Sequence, residues 1–167
     1  MNSKAKHPKI GRYVKLQKTT FKPDSKIRLK DFDTRTTSGT TKEKALAICE
    51  KNITAIDELS YRLYAENTRA LLLVFQGMDT AGKDGVIRHV MQGVDAQAAE
   101  VHPFKKPSSL ELDHDFLWRI HQKVPARGNI GIFNRSHYED VLVVRVHNLV
   151  PRKEWSSRYD RINDFEK

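Results

Sequence analysis

The chain has 167 residues, 38% of them hydrophobic, with 30 Lys and Arg against 21 Asp and Glu and a formal charge of +9; this is the length and composition of one globular domain. No run approaches the roughly 18 apolar residues of a membrane span, and the N-terminal MNSKAKHPKI has no apolar signal-peptide core, so a cytoplasmic protein with no membrane partner is expected. The lone Cys49 excludes an internal disulfide and a thiolate metal cluster, and its ALAICEK setting suits a small buried hydrophobe.

The charge is unevenly divided. Residues 1–30 hold ten Lys and Arg and a single acid, Asp24, whereas the rest of the chain is balanced. Such an arm either favours a polyanion or is a solvated tail that aids solubility. Its apolar residues, from Ile10 to Leu29, follow no period of 3.6 or 2, which predicts extended chain lying along the domain. A polar break around Asp33, Thr34, Ser38 and Gly39 then separates an arm (1–39) from a domain (40–167).

A long helix is predicted next, opened by capping-box spacing between Thr40 and Glu43 and ending near Asn67. Its apolar stripe is Leu46, Cys49, Ile53, Ile56, Leu59 and Leu63. Ala70–Phe75 (ALLLVF) reads as a strand buried on both faces, followed by a glycine-bearing turn and a helix over Gly85–Val94. Ala98–His102 is a weaker strand. Pro107, Ser108 and Glu111 then open a helix with Leu112, Phe116, Ile120 and Val124 on one face. Asn129–Phe133 (NIGIF) is a third strand, and His137–Val150 a helix interrupted near Pro151. Strands alternating with helices imply an α/β fold with a parallel sheet and right-handed crossovers.

The segment from Gly77 to Asp84 matches G-x-x-x-x-G-K between a predicted strand and a predicted helix, the context a phosphate loop requires. Its glycines let the backbone N–H groups of Gly77, Met78, Thr80, Ala81, Gly82, Asp84 and Gly85 face a phosphate or nucleotide, with the following helix aiming its positive end there. Lys83 would reach the terminal phosphates. Asp84 replaces the Ser or Thr that holds magnesium in the usual pattern, so another ligand is needed. Asp79 is the candidate: a carboxylate inside a phosphate loop repels its ligand unless a divalent cation intervenes or it accepts a proton from the attacking group. The plainer reading makes Asp79 a helix-entry acid bonded to backbone amides.

After the third strand comes FNRSHYED, which at the carboxyl edge of a parallel sheet should face the phosphate loop. Arg135 is placed to neutralise a moving phosphoryl group, and Glu139 or Asp140 to bind a metal; alternatively the two acids only favour the first turn of a helix. Seven histidines include no H-x-x-x-H pair, and His137 reads as a structural histidine, with a bond to a phosphate or nucleotide as the alternative. Phe116 and Trp118 read as core or interface.

Three segments, QGMDTAGKDG, HPFKKPSSLELDHDFLWRIH and FNRSHYEDVLVVRVH, in this order and spacing resemble the polyphosphate kinase 2 family. The resemblance spans roughly Thr40 to Lys167. It implies a P-loop kinase-like three-layer domain that moves phosphoryl groups between inorganic polyphosphate and a nucleoside mono- or diphosphate, with Mg²⁺ or Mn²⁺. It also implies that Asp79 handles the metal and activates the acceptor phosphate, that Lys83 binds phosphate, and that Arg135 is the second-motif arginine. Lys105 and Lys106 resemble basic residues beside the phosphate path. Asn134 stands where many members have Asp, a form similar to the subgroup acting on both mono- and diphosphates. An amide cannot serve as an anionic ligand there, which shifts that charge to Glu139 or Asp140, with Asn134 lining the phosphate or nucleotide.

Family members continue past the point matched by Lys167 into a helical lid, so the resemblance implies a C-terminally incomplete catalytic domain with low activity alone. Purine nucleotides, polyphosphate and further copies of the chain are the expected partners; nucleic acid is not. The rivals are an ATP-dependent nucleotide kinase, which would be expected to carry Ser or Thr after Lys83, and a non-catalytic polyanion-binding protein using the basic arm.

Overall fold

A computed structural model describes residues 25–33 and 39–167. The extended course expected of the arm therefore lies largely outside the described residues; within 25–33 the chain makes a single 3-10 turn, Leu29–Asp31. The first helix, α1, is Lys42–Glu66. Its cap is Thr41, one residue later than the spacing suggested, because the Thr41 hydroxyl accepts the Lys44 N–H at 3.4 Å. Asn67 closes the helix in a left-handed conformation with its N–H on the Leu63 carbonyl.

Three parallel strands follow: β1, Leu71–Phe75; β2, Ala99–Pro103; and β3, Ile130–Asn134, in the spatial order β1-β3-β2. Phe75 and Pro103 both lie opposite Asn134, so the strands end together at one carboxyl edge. Alternation along β3 builds the core on its two faces. Ile130 and Ile132 pack with Ile87, Leu63, Leu73 and Phe75, while Phe133 packs with Phe104, Leu117, Ile120, Leu72 and Phe165. Helices thus cover both faces of the sheet, giving the three layers of an α/β domain.

Burial corrects the reading of the first strand. Among the described residues the apolar run ALLLVF is at one edge of the three-stranded sheet, with Leu71 and Val74 exposed at 44% and 37%; the strand buried on both faces is β3. Apolar content marks a strand, but the crossovers decide which strand is central. The stripe on α1 is also only partly used. Its contacts run through Ile53, which meets Gly93, and Leu63, which joins the core; Leu46 and Leu59 stay exposed.

The helices are shorter than their patterns suggested. The phosphate-loop helix α2 is Lys83–Val90 and tightens into a 3-10 turn at Met91–Gly93. The helix expected from Pro107 to Val124 is two single turns, α3 (Ser109–Leu112) and α4 (Trp118–His121). Ser108 and Glu111 form the expected capping box, but Asp115 then accepts the Leu117 N–H on its carboxylate and the Trp118 N–H on its carbonyl, starting the chain afresh. Leu112 and Val124 are left exposed as a result. Past β3, α5 is Glu139–Val146, ended before the left-handed Asn148, and α6 is Arg152–Phe165, begun at Pro151.

Gly93 is where α1 meets the turn after α2: a Cβ there would stand 2.6 Å from the Ile53 methyl and 2.8 Å from its carbonyl oxygen. Backbone cannot yield as a side-chain tip can. Gly93→Ala should therefore destabilise the protein by about 1–3 kcal/mol, the usual range for overpacking, seen as a lower midpoint in urea denaturation.

Candidate active site

β1 delivers its chain directly into the glycine-bearing loop, and α2 begins at its end. The loop is wound by positive φ at Thr80 (66°) and Gly82 (86°). Glycine adopts this conformation freely, but in β-branched Thr80 it is a local strain of the kind that clusters at ligand-binding loops. Lys83, the first residue of α2, curls back so that its ammonium donates to the carbonyls of Gly77 (2.8 Å) and Met78 (2.9 Å). An ammonium has three donors, so one remains for a phosphate held over the loop.

The second motif arrives beside the loop because β3 pairs with β1. The Arg135 N–H donates to the Phe75 carbonyl at 3.0 Å, which carries the ladder one residue past Asn134, and Arg135 itself takes a left-handed conformation (φ 64°). Its guanidinium forms an ion pair with Asp79 of the loop and stands 4.0 Å from Glu139. Asn134 donates its amide to the Asp84 carboxylate at 2.5 Å. The two residues that depart from the usual patterns thus pair with each other: a carboxylate at position 134 would face that of Asp84, whereas an amide can donate to it.

Glu139 and Asp140, adjacent in sequence, face different surroundings. Glu139 accepts from the Gln76 side-chain amide at 2.6 Å and stays beside Arg135. Asp140 points into protein and pairs with buried Arg119 at 3.2 Å, while Arg158 of α6 donates to its carbonyl at 2.7 Å. Burial pushes the Asp140 carboxyl above its ordinary range, against the pull of Arg119 and Arg158. The other Arg119 nitrogen donates to the Lys105 carbonyl at 2.8 Å, so one guanidinium joins α5 to the segment bearing Lys105 and Lys106.

These groups line a cavity of about 810 Å³. Lys105, Lys106, Arg135 and Glu139 are among its polar lining, together with acids such as Glu111 and Asp115 and the arginines of α6, and Phe104 and Phe116 are among the apolar surfaces. Arg158 and Arg161 lie 4.9 and 5.1 Å from the Phe116 ring centre, so Phe116 is a packing platform for guanidinium groups. The phosphate-loop residues do not line this cavity. Arg135 touches both and marks the junction.

His137 is buried and within hydrogen-bond distance of Glu166 through Nε2 (3.0 Å), and Tyr138 donates to the same carboxylate at 2.5 Å. The Tyr138 hydroxyl is pushed up to about 12, first by burial and then by the bond to Glu166. Trp118 stacks on His114 at 4.0 Å. Among the described residues no group of three or more His, Cys, Asp or Glu stands ready to hold a metal. Magnesium needs no such cage: it typically takes one or two carboxylates together with water and substrate phosphates. Asp79 and Glu139, both beside Arg135, are the two carboxylates at the junction that could supply such ligands.

Sequence reasoning passed over Gln76, Ser136 and Arg119. Gln76 is a polar residue closing an apolar strand immediately before the loop, a position that could have drawn notice; buried Arg119 reveals its partner only in three dimensions.

An open parallel sheet with a strand–loop–helix element and an arginine-bearing second motif at its carboxyl edge defines a P-loop kinase-like domain. The polyphosphate kinase 2 profile matches residues 39–167, and the chain belongs to that family. It is 46% identical over 157 residues to an AMP/ADP-polyphosphate phosphotransferase of Meiothermus ruber, covering 91% of this chain and 58% of that protein. It is 46% identical over 138 residues to an ADP-polyphosphate phosphotransferase of Rhodopseudomonas palustris, covering 75% and 48%. The crystal structure of polyphosphate kinase 2 from Arthrobacter aurescens superposes with a TM-score of 0.81 at 42% identity, over 85% of this chain and 52% of that one. The chain spans about half the length of these relatives. No helix among the described residues is long and apolar enough to cross a membrane.

Two predictions test this network. Arg119→Met strands the Asp140 carboxylate in a buried site and should destabilise the protein by about 3–5 kcal/mol; Arg119→Met with Asp140→Asn should recover part of that loss in urea denaturation. A phenol held neutral to about 12 stabilises the folded state below its ordinary value of 10.0, and that contribution is lost as pH rises from there through about 12. Glu166→Gln should lower the Tyr138 midpoint, read from phenolate absorbance, without restoring the ordinary value, since burial remains.

Proposed function

We propose that this chain transfers a phosphoryl group between inorganic polyphosphate and a purine nucleoside mono- or diphosphate, with Mg²⁺, in the cytoplasm and as a homo-oligomer. The observation that carries the reading is the Arg135–Asp79 ion pair, which joins the phosphate loop to the second motif at the ends of adjacent parallel strands. The names of its relatives and the shared fold support the substrate classes.

In-line phosphoryl transfer needs placed cations and dipoles more than covalent chemistry. The loop amides and the start of α2 bind the phosphate, Lys83 supplies charge to its oxygens, and Arg135 spreads the charge that builds as the phosphoryl group moves. Asp79 and Glu139 would hold the Mg²⁺, which when bound neutralises phosphate oxygens and orients them. Asp140, occupied by Arg119, serves instead to fix α5 against the Lys105–Lys106 segment. The cavity beyond Arg135 has the size of a small-molecule site, and its lysines and apolar walls suit a nucleotide. Lys105 and Lys106 would face its phosphates.

Incubation of the 167-residue chain with polyphosphate, ADP and Mg²⁺ should form ATP, followed by luminescence. Arg135→Met should lower kcat by about 10²–10³, the scale for removing one transition-state donor, and Asp79→Asn should raise the Mg²⁺ requirement. The rate is expected to be low for a chain that spans about half the length of its relatives, and wild-type turnover by both variants would overturn the reading.

A further inference from the structure

Gln76 lies between the last residue of β1 and the first glycine of the loop, and its side chain points across to the second motif. Its carbonyl oxygen accepts the Ser136 hydroxyl at 3.0 Å, and its amide nitrogen donates to Glu139 at 2.6 Å. The chemistry leaves one orientation. A carboxylate can only accept, so the NH₂ group must face Glu139. Ser136, completely buried, already accepts the Tyr138 N–H on its oxygen at 3.2 Å, and its own hydrogen is directed at Gln76. One amide is thereby fixed at both ends, by a buried hydroxyl and by a carboxylate.

The effect falls on Glu139. One of its oxygens is engaged by Gln76 and the other stands 4.0 Å from the Arg135 guanidinium. A glutamate with three rotatable bonds on the first turn of α5 would otherwise choose among several rotamers. Gln76 selects one of them and does so from the strand that carries the phosphate loop, so the loop and the Glu139 carboxylate are set in a common frame. We propose that Gln76 is a positioning residue that holds the Glu139 carboxylate toward the phosphate site for a divalent cation. The inference rests on the reading of this site as a phosphotransferase centre using Asp79 and Glu139.

A brace that merely joins β1 to α5 would predict the same contacts, and a charge exchange separates the two roles. Gln76→Leu removes both bonds. Gln76→Glu combined with Glu139→Gln restores a carboxylate–amide bond between the same positions but moves the carboxylate from α5 to the end of β1. Three quantities are measured on the 167-residue chain: the thermal midpoint, Mn²⁺ binding in the presence of tripolyphosphate by the enhancement of water-proton relaxation over the protein-free Mn²⁺–tripolyphosphate complex, and steady-state turnover with varied metal and varied nucleotide.

Gln76→Leu should weaken Mn²⁺ binding by about tenfold or more, the scale on which groups that orient metal ligands act, with the nucleotide KM unchanged. The exchanged pair should regain the thermal midpoint while metal binding stays weak. Wild-type Mn²⁺ affinity in Gln76→Leu would overturn the inference, as would an exchanged pair that recovers both stability and metal affinity. If Gln76→Leu fails to fold, the exchanged pair alone decides by the same criterion. A parent chain that neither binds Mn²⁺ with tripolyphosphate nor turns over would refute the phosphotransferase reading itself and the inference with it; binding and turnover by the parent, with unaltered variants, would refute only the role of Gln76.

Discussion

Everything at the site depends on how β3 lies against β1. Parallel pairing sets Phe75 opposite Asn134, and the Arg135 N–H extends the ladder by one more bond to the Phe75 carbonyl. Two stretches nearly sixty residues apart in sequence therefore leave the sheet side by side. A slip of one residue would turn Ile130, Ile132 and Phe133 to the wrong faces, so the core that buries these side chains also enforces the meeting of the two motifs. Burying each is worth roughly 1.5–3 kcal/mol, far more than the exposed Arg135–Asp79 ion pair contributes to stability. Packing fixes the geometry and the ion pair exploits it.

Around this junction the charges are distributed by surroundings. Asp79, largely exposed on the loop, has the half-exposed Arg135 guanidinium as its partner; Asp140, one residue beyond Glu139, is held in the interior by Arg119. The exposed carboxylate lies open to solvent, whereas the buried one can change its partner only at the expense of the fold. The lysine follows the same logic: with its ammonium on the Gly77 and Met78 carbonyls, it is stored on the loop it would serve.

Much of this was legible in the residues. The phosphate loop has a local cause: spaced glycines and a lysine between an apolar run and a helix, a pattern that states its own geometry. The Ser108–Glu111 capping box was equally local and is present. The two misreadings have separate causes. ALLLVF was read as buried on both faces because it is a continuous apolar run, yet which strand is covered on both faces depends on the order the crossovers set. The helix expected through Val124 broke at Asp115 because one carboxylate competes with the helical ladder, a local event that the apolar spacing of Phe116 and Ile120 concealed.

By itself, the sequence determined the alternation of strands and helices and the family, because these reside in short-range patterns of residue type. Tertiary structure alone decided which carboxylates remain beside Arg135. Glu139 and Asp140 are neighbours with the same functional group. Their fates diverge because successive residues of a helix point about 100° apart, which turns one to Gln76 at the carboxyl edge of the sheet and the other to Arg119 in the interior. Such a division depends on what lies in each direction, and that is known only once the chain has folded.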